Sequence, residues 1–337
     1  VSSFFSLRKR PGSRSAGAAF AIAAVLLVLT GCAKPARVYR VGILVGAETM
    51  SEISDGFKAE MTRLGYIEGS SISYDIQKLD NDPSKDKTIS LKFVEDKVDL
   101  IFVFPGQPAL SAKQIARGSG IPVVFANALV EGTGLIDSVQ NPGDNITGVR
   151  NPGNTMAIKS LEFLLEFEPA PSRVMVVYVP SYPTNPAILK DLHRYVSSAG
   201  ITLIEVPVDK ATDIEKALKG MEGVVDVDAV MLMPDTIPRT KEATRVILDY
   251  ADRHHIPVIG GPVPLLAEGT LLTINADYRR QGELAASLAE RIFKGVPAGT
   301  IPVITPEEKL FINYRKSREL GLKASRGLLR QAKEIIR

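Results

Sequence analysis

The chain has 337 residues, 45% of them hydrophobic, with 41 Lys and Arg against 38 Asp and Glu and a single cysteine. One cysteine excludes an intramolecular disulfide. The near balance of charge, with neither runs of like charge nor aromatic residues set among basic ones, argues against a nucleic-acid partner. The length allows one large domain or two medium ones, each burying its own core. At the start, Arg8, Lys9, Arg10 and Arg14 precede the first acidic residue, Glu48, and an apolar run follows over 16–30. A basic stretch before a short apolar core is the pattern of a secretory signal peptide. The run is shorter than the ~20 apolar residues of a membrane span.

Leu29-Thr30-Gly31-Cys32 follows directly and resembles the lipobox of bacterial lipoproteins, in which a peptidase cuts before the cysteine and the thiol is acylated. Residues 1–31 are therefore expected to be an export signal and Cys32 the lipidation site. The protein would then be held outside the cytoplasmic membrane, facing the periplasm or lying at the cell surface if there is one membrane. Several acyl chains, at ~0.8 kcal/mol per buried CH₂, make a durable anchor. A buried structural cysteine is the plainer alternative. Residues 32–37 read as a tether.

From residue 38 short apolar runs alternate with amphipathic ones. Residues 38–45 read as a strand, and 53–64 as a helix with Ile53, Phe57, Met61 and Leu64 on one face and Gly65 closing it. A strand at 72–76, a helix at 89–98, a buried strand at 99–104, a helix at 109–116 and a strand at 122–125 follow. Continuous apolar strands alternating with helices argue for a parallel sheet covered on both faces. The turn-rich segment 141–154 interrupts this rhythm, which then restarts. Helices at 156–167, 186–199, 213–220 and 241–254 alternate with strands at 173–179, 202–207, 229–233 and 257–260. A helix at 280–293, a strand-like 309–312 and a short helix at 314–320 complete the pattern. Two halves with one plan suggest an α/β protein of two doubly wound Rossmann-like lobes. Ligands in open α/β sheets sit beyond the carboxyl ends of the strands, so two facing lobes make a cleft that a hinge can close.

Several stretches, in this order, resemble one group of ABC-importer substrate-binding proteins whose best-known members bind tryptophan, tyrosine or phenylalanine. They are Gly56-Phe57 with Leu64-Gly65-Tyr66-Ile67-Glu68-Gly69, Val98-Asp99-Leu100-Ile101, Ile121-Pro122-Val123-Val124-Phe125-Ala126, Asn141-Pro142-Gly143-Asp144-Asn145-Ile146-Thr147-Gly148-Val149, Asp277-Tyr278 with Gly282, and Phe311-Ile312-Asn313 with Leu320-Gly321. The resemblance spans 40–322. It implies a type I periplasmic-binding-protein fold with parallel sheets and three crossovers between lobes, near 150–153, 274–278 and 303–309. The amino-terminal lobe would comprise 38–150 and 278–303, and the carboxy-terminal lobe 151–274 and 309–325, leaving 326–337 as a terminal tail. It further implies a monomer that takes a small ligand, an amino acid or related organic acid, to a membrane permease with a separate ATPase subunit. A sensory binding protein that reports its ligand to a membrane receptor is the alternative.

Candidate ligand residues stand at the strand ends: Thr49, Gly106, Gln107, Pro108 and Asn127 in the first half, Tyr182, Thr184, Asn185, Asp235 and Gly261 in the second. The helix after Gly106 would offer free N–H groups to a carboxylate. Tyr182 would offer a stacking face, and Asp235 would pair with a ligand ammonium as the resemblance implies. Turn formation and helix capping are the competing roles, above all for Thr184 and Asp235. The chain departs from the family pattern at Phe104-Pro105-Gly106-Gln107-Pro108, at Asn127-Ala128-Leu129-Val130-Glu131 and at Ser181-Tyr182-Pro183-Thr184-Asn185, so ligand identity does not carry over. No catalytic set, cofactor motif or metal site is expected. His193, His254 and His255 fall in helical stretches, and adjacent histidines point apart. Glu307-Glu308 reads as a polar connector.

Overall fold

A computed structural model describes residues 37–337, apart from 80, 81, 83, 236 and 238–240, together with residues 2 and 3. The export-signal and Cys32 expectations lie outside the described residues. The elements run β1 Tyr39–Val45, α1 Glu52–Arg63, β2 Ile72–Lys78, α2 Lys85–Glu95, β3 Leu100–Phe104, α3 Gly106–Ala116, β4 Val123–Ala128 and β5 Ile146–Arg150. Next come α4 Gly153–Leu164, β6 Phe167–Glu168, β7 Arg173–Tyr178, α5 Asn185–Ala199, β8 Thr202–Pro207, α6 Ile214–Met221, β9 Ala229–Leu232, α7 Lys241–Arg253 and β10 Val258–Gly260. The chain ends with α8 Leu265–Glu268, β11 Leu272–Ala276, α9 Tyr278–Phe293, β12 Glu308–Asn313, α10 Tyr314–Glu319, β13 Lys323–Ala324, α11 Arg326–Gln331 and β14 Ala332–Ile336.

The first sheet has the order β2-β1-β3-β4-β5 and is parallel throughout. Successive strand side chains face opposite ways, which explains the unbroken apolar runs. Ile43, Phe102 and Val124 pack under α1 and α9, while Leu44, Ile101, Val103 and Phe125 pack under α2 and α3. The second sheet has the order β14-β12-β11-β10-β9-β7-β8. Its two faces split in the same way, Val174, Val176 and Met231 toward α4 and α5, Met175, Val177 and Val230 toward α6 and α7. The sheet is parallel as expected except towards one edge, where β12 runs antiparallel to β11. The chain re-enters this lobe from the opposite end after its excursion into the other.

That excursion is α9. Although it follows β11 in the chain, it packs on α1 in backbone contact. A Cβ on Gly56 would lie 2.0 Å from the Arg279 carbonyl oxygen, and one on Gly282 would lie 2.0 Å from that of Ile53. The chain thus passes between lobes after β5, between β11 and α9, and again before β12. The first and third passages run side by side, bridged at Val149 and Ile304.

Three local expectations need correction. Residues 326–337, expected as a terminal tail, form α11 and β14, and β14 pairs with β12. Phe167 leaves α4 and sits in β6, fully buried. His254 and His255 lie in the turn after α7 rather than in it, and His255 has φ +53°.

Candidate ligand cleft

In the first lobe the strand ends converge. The Gly46 N–H donates to the Phe104 carbonyl at 2.7 Å, tying the end of β1 to that of β3. A Cβ on Gly46 would meet that oxygen at 2.7 Å and Pro108 Cγ at 2.9 Å, so the close approach of these loops requires glycine. Thr49 sits exposed in the 3₁₀ turn Glu48–Met50. Gly106 and exposed Gln107 open α3, and Pro108 is buried in its first turn. Asn127, next to last in β4, has φ +49°. Its amide donates to Met50 Sδ at 3.3 Å and its Oδ1 accepts from Asn151 Nδ2 at 2.9 Å. It therefore joins the β1 loop, the β4 end and the first crossing.

In the second lobe Asp235 is the organising group. Its Oδ2 accepts from the Val179 N–H at 3.1 Å and from Asn185 Nδ2 at 2.9 Å, and its Oδ1 accepts from the Ile237 N–H at 2.8 Å. Asp235 and Asn185 are both fully buried. The carboxylate expected to meet a ligand ammonium instead ties the end of β7 to the loop after β9, a structural role close to the capping alternative. Asn185 likewise serves the β7 loop, donating to the Val179 carbonyl at 2.9 Å. Thr184 departs from its expected capping role, since its hydroxyl makes no cap bond to α5. That oxygen is buried and without a hydrogen-bond partner among the described residues. Tyr182 is half-buried. Gly261, after β10, has φ +77°, and its carbonyl accepts from Asn275 Nδ2 at 3.0 Å.

The two sets of loops face each other. A Cβ on Gly132 would come within 3.9 Å of the Pro183 carbonyl oxygen, and one on Gly153 would lie 2.4 Å from Leu129 and 3.5 Å from Pro234. Sequence reasoning missed the groups at this meeting point. Arg150 forms an ion pair with Glu131 and donates from Nε to Thr305 Oγ1 at 2.8 Å, so it clamps the β4 loop and the third crossing to the end of β5. Besides Thr184 Oγ1, Glu131 Oε2, Asn151 Oδ1 and Asn154 Oδ1 are buried and unpartnered among the described residues. The only signal in the sequence was position: Glu131 follows a strand end, and Arg150 and Asn151 close the turn-rich Asn-Ile-Thr-Gly segment. Among the described residues no cluster of His, Cys, Asp or Glu forms a metal site.

Two α/β lobes, three crossings and polar groups gathered where the strand ends face each other define a binding protein of the type I periplasmic-binding-protein fold. The sequence profile of the family described as ABC transporter substrate binding protein matches residues 40–336, and the chain belongs to that family. It is 26% identical over 272 residues to the "Tyrosine-binding protein" of Clostridioides difficile (strain R20291), covering 80% of this chain and 76% of the relative. A conserved domain protein from Vibrio cholerae superposes with a TM-score of 0.75 at 22% identity, covering 90% of this chain and all of that one. The L-Trp complex of an ABC domain from Streptococcus pneumonia gives 0.74 at 21% identity, covering 88% and 99%. Members of the family bind solutes outside the cytoplasm and are not enzymes.

Proposed function

We propose that this protein binds an amino acid between its lobes, an aromatic one such as tyrosine or tryptophan in the first instance, and delivers it to a membrane permease driven by a separate ATPase. The observation that carries this reading is the set of buried oxygens, unpartnered among the described residues, on the facing loops and the first crossing: Glu131 Oε2, Asn151 Oδ1 and Thr184 Oγ1. Buried polar atoms without partners are rare in folded chains and call for a donor-rich ligand. An ammonium group supplies three N–H donors, and Glu131 Oε2, the oxygen that Arg150 leaves open, would accept one of them. Tyr182, half-buried beside Thr184, would cover an aromatic side chain. The exposed start of α3 at Gln107 would take the carboxylate. The similarity to a tyrosine-binding protein and to a tryptophan complex supports the same ligand class.

Acylation of Cys32 would hold this domain at the membrane, the role the lipobox-like Leu29-Thr30-Gly31-Cys32 suggests. A thermal-shift screen of the twenty amino acids, sugars and organic acids tests the ligand. A ligand at 100 times its Kd adds ~2.7 kcal/mol of stability. Stabilisation by tyrosine or tryptophan is the expected result. Stabilisation by a sugar alone would refute the reading.

A further inference from the structure

The near neutrality of the chain conceals a strong separation of charge. Residues 314–337 carry eight Lys and Arg against two Glu, a net of +6, whereas residues 38–313 carry 27 against 36 acids, a net of −9. The structure gathers the basic segment on one border of the second lobe. There α10, β13, α11 and β14 succeed one another, with β13 pairing to β6 and β14 adding the outermost strand beside β12. Arg318, Lys323, Arg326, Arg330 and Lys333 are exposed. None of the five makes an ion pair or side-chain hydrogen bond among the described residues, although ion pairs are common elsewhere on the surface. Arg326 and Arg330 are four residues apart on α11, so they share a face, while Leu328 between them anchors the helix in the core at 0% exposure. The neighbouring acids are few. Glu319 lies within ion-pair reach of Arg315 and Lys316, Glu166 accepts the Ser325 hydroxyl, Glu168 stands opposite Lys323, and Glu334 lies on β14. Leu322, Leu329, Ile335 and Ile336, all half-buried, are interleaved with the cations.

We infer that this border is a docking surface for an anionic lipid bilayer. Unpaired, extended cations set among partly exposed aliphatic side chains match a layer of phosphate headgroups over acyl chains. An acidic body behind the basic border would orient the molecule, attracting one side to the headgroups and repelling the rest. Nucleic-acid binding would call for stacking aromatics among the cations, and the five sites have none between them. The inference does not depend on what the cleft binds.

The test uses the full chain and vesicles of pure phosphatidylcholine or of phosphatidylcholine with 30% phosphatidylglycerol, by co-sedimentation at low and high salt. Residues 1–36 are basic and common to all variants, so the change from parent to variant in the ratio of anionic to zwitterionic binding isolates the surface. Each cation near a charged bilayer contributes roughly fivefold. The variant R318Q/K323Q/R326Q/R330Q/K333Q should lower that ratio at least about a hundredfold. R318K/R326K/R330K, which keeps the charge, should bind as the parent does, and so should K210Q/K216Q/K241Q on other elements. An unchanged ratio in the five-site variant would overturn the inference. So would tighter binding of a DNA oligonucleotide than of the anionic vesicles through the same five residues.

Discussion

Asp235 and Thr184 each depart from the role that the residue type suggests. Asp235 satisfies three donors deep in the second lobe, so Asp235→Ala should leave those donors unpaired and cost about 3 kcal/mol, read by denaturant unfolding. Thr184 holds a buried hydroxyl with no partner among the described residues. Thr184→Val should leave stability unchanged or slightly raised, yet weaken binding of tyrosine or tryptophan about five- to tenfold by titration calorimetry. Position along the chain placed both residues correctly at strand ends. It could not reveal which one faces inward, because that depends on loops from β7 and β9 that meet only in three dimensions. A further carboxylate, Asp228, lies far from these loops. Arg173 and the Ser172 hydroxyl and backbone hold it well below the usual carboxylate range. A carboxylate more acidic in the folded chain than in the unfolded one contributes stability that is present above the unfolded value of about 3.9 and is lost as the pH falls toward the folded one. Asp228→Asn should therefore lower the melting temperature at pH 7 by a few degrees, for about 1 kcal/mol of a partly exposed network. As the pH falls from about 4 toward the much lower folded value, the gap between variant and parent should narrow progressively.

Among the elements, α1 and α9 carry the clearest dependence on single residues. Glycine within a helix costs about 1 kcal/mol relative to alanine, so Gly282→Ala would stabilise an isolated helix. Here the added methyl would fall 2.0 Å from the Ile53 carbonyl oxygen. The substitution should destabilise the protein by about 2–4 kcal/mol through separation of the helices, measured by thermal or urea unfolding. The strands and helices of the first lobe were legible because their apolar periodicity is local. The pairing of α9 with α1 is not local, and periodicity is silent about which partner a helix face meets. It emerged only through the family likeness. The last strand, β14, was missed for a different reason. It is charged and half-exposed, being an edge strand, and so lacks the apolar signature of the central ones.

At the scale of the whole molecule, the two sheets bury separate cores, and the strand ends of both lobes meet at the three crossings. Such a construction favours rotation of intact lobes over local rearrangement. The Arg150–Glu131 pair and the Asn127–Asn151 contact lie where that rotation must be absorbed. Two-lobed architecture was readable from the repeated β/α plan, whereas the polar lining of the cleft was not, since it comes from loops whose sequences depart from the family pattern. Titration calorimetry of tyrosine and of tryptophan tests the central claim most directly. One ligand bound per chain is expected, with a negative heat-capacity change as apolar surface is buried between the lobes. Absence of heat with every amino acid, alongside one-to-one binding of a sugar, would contradict it.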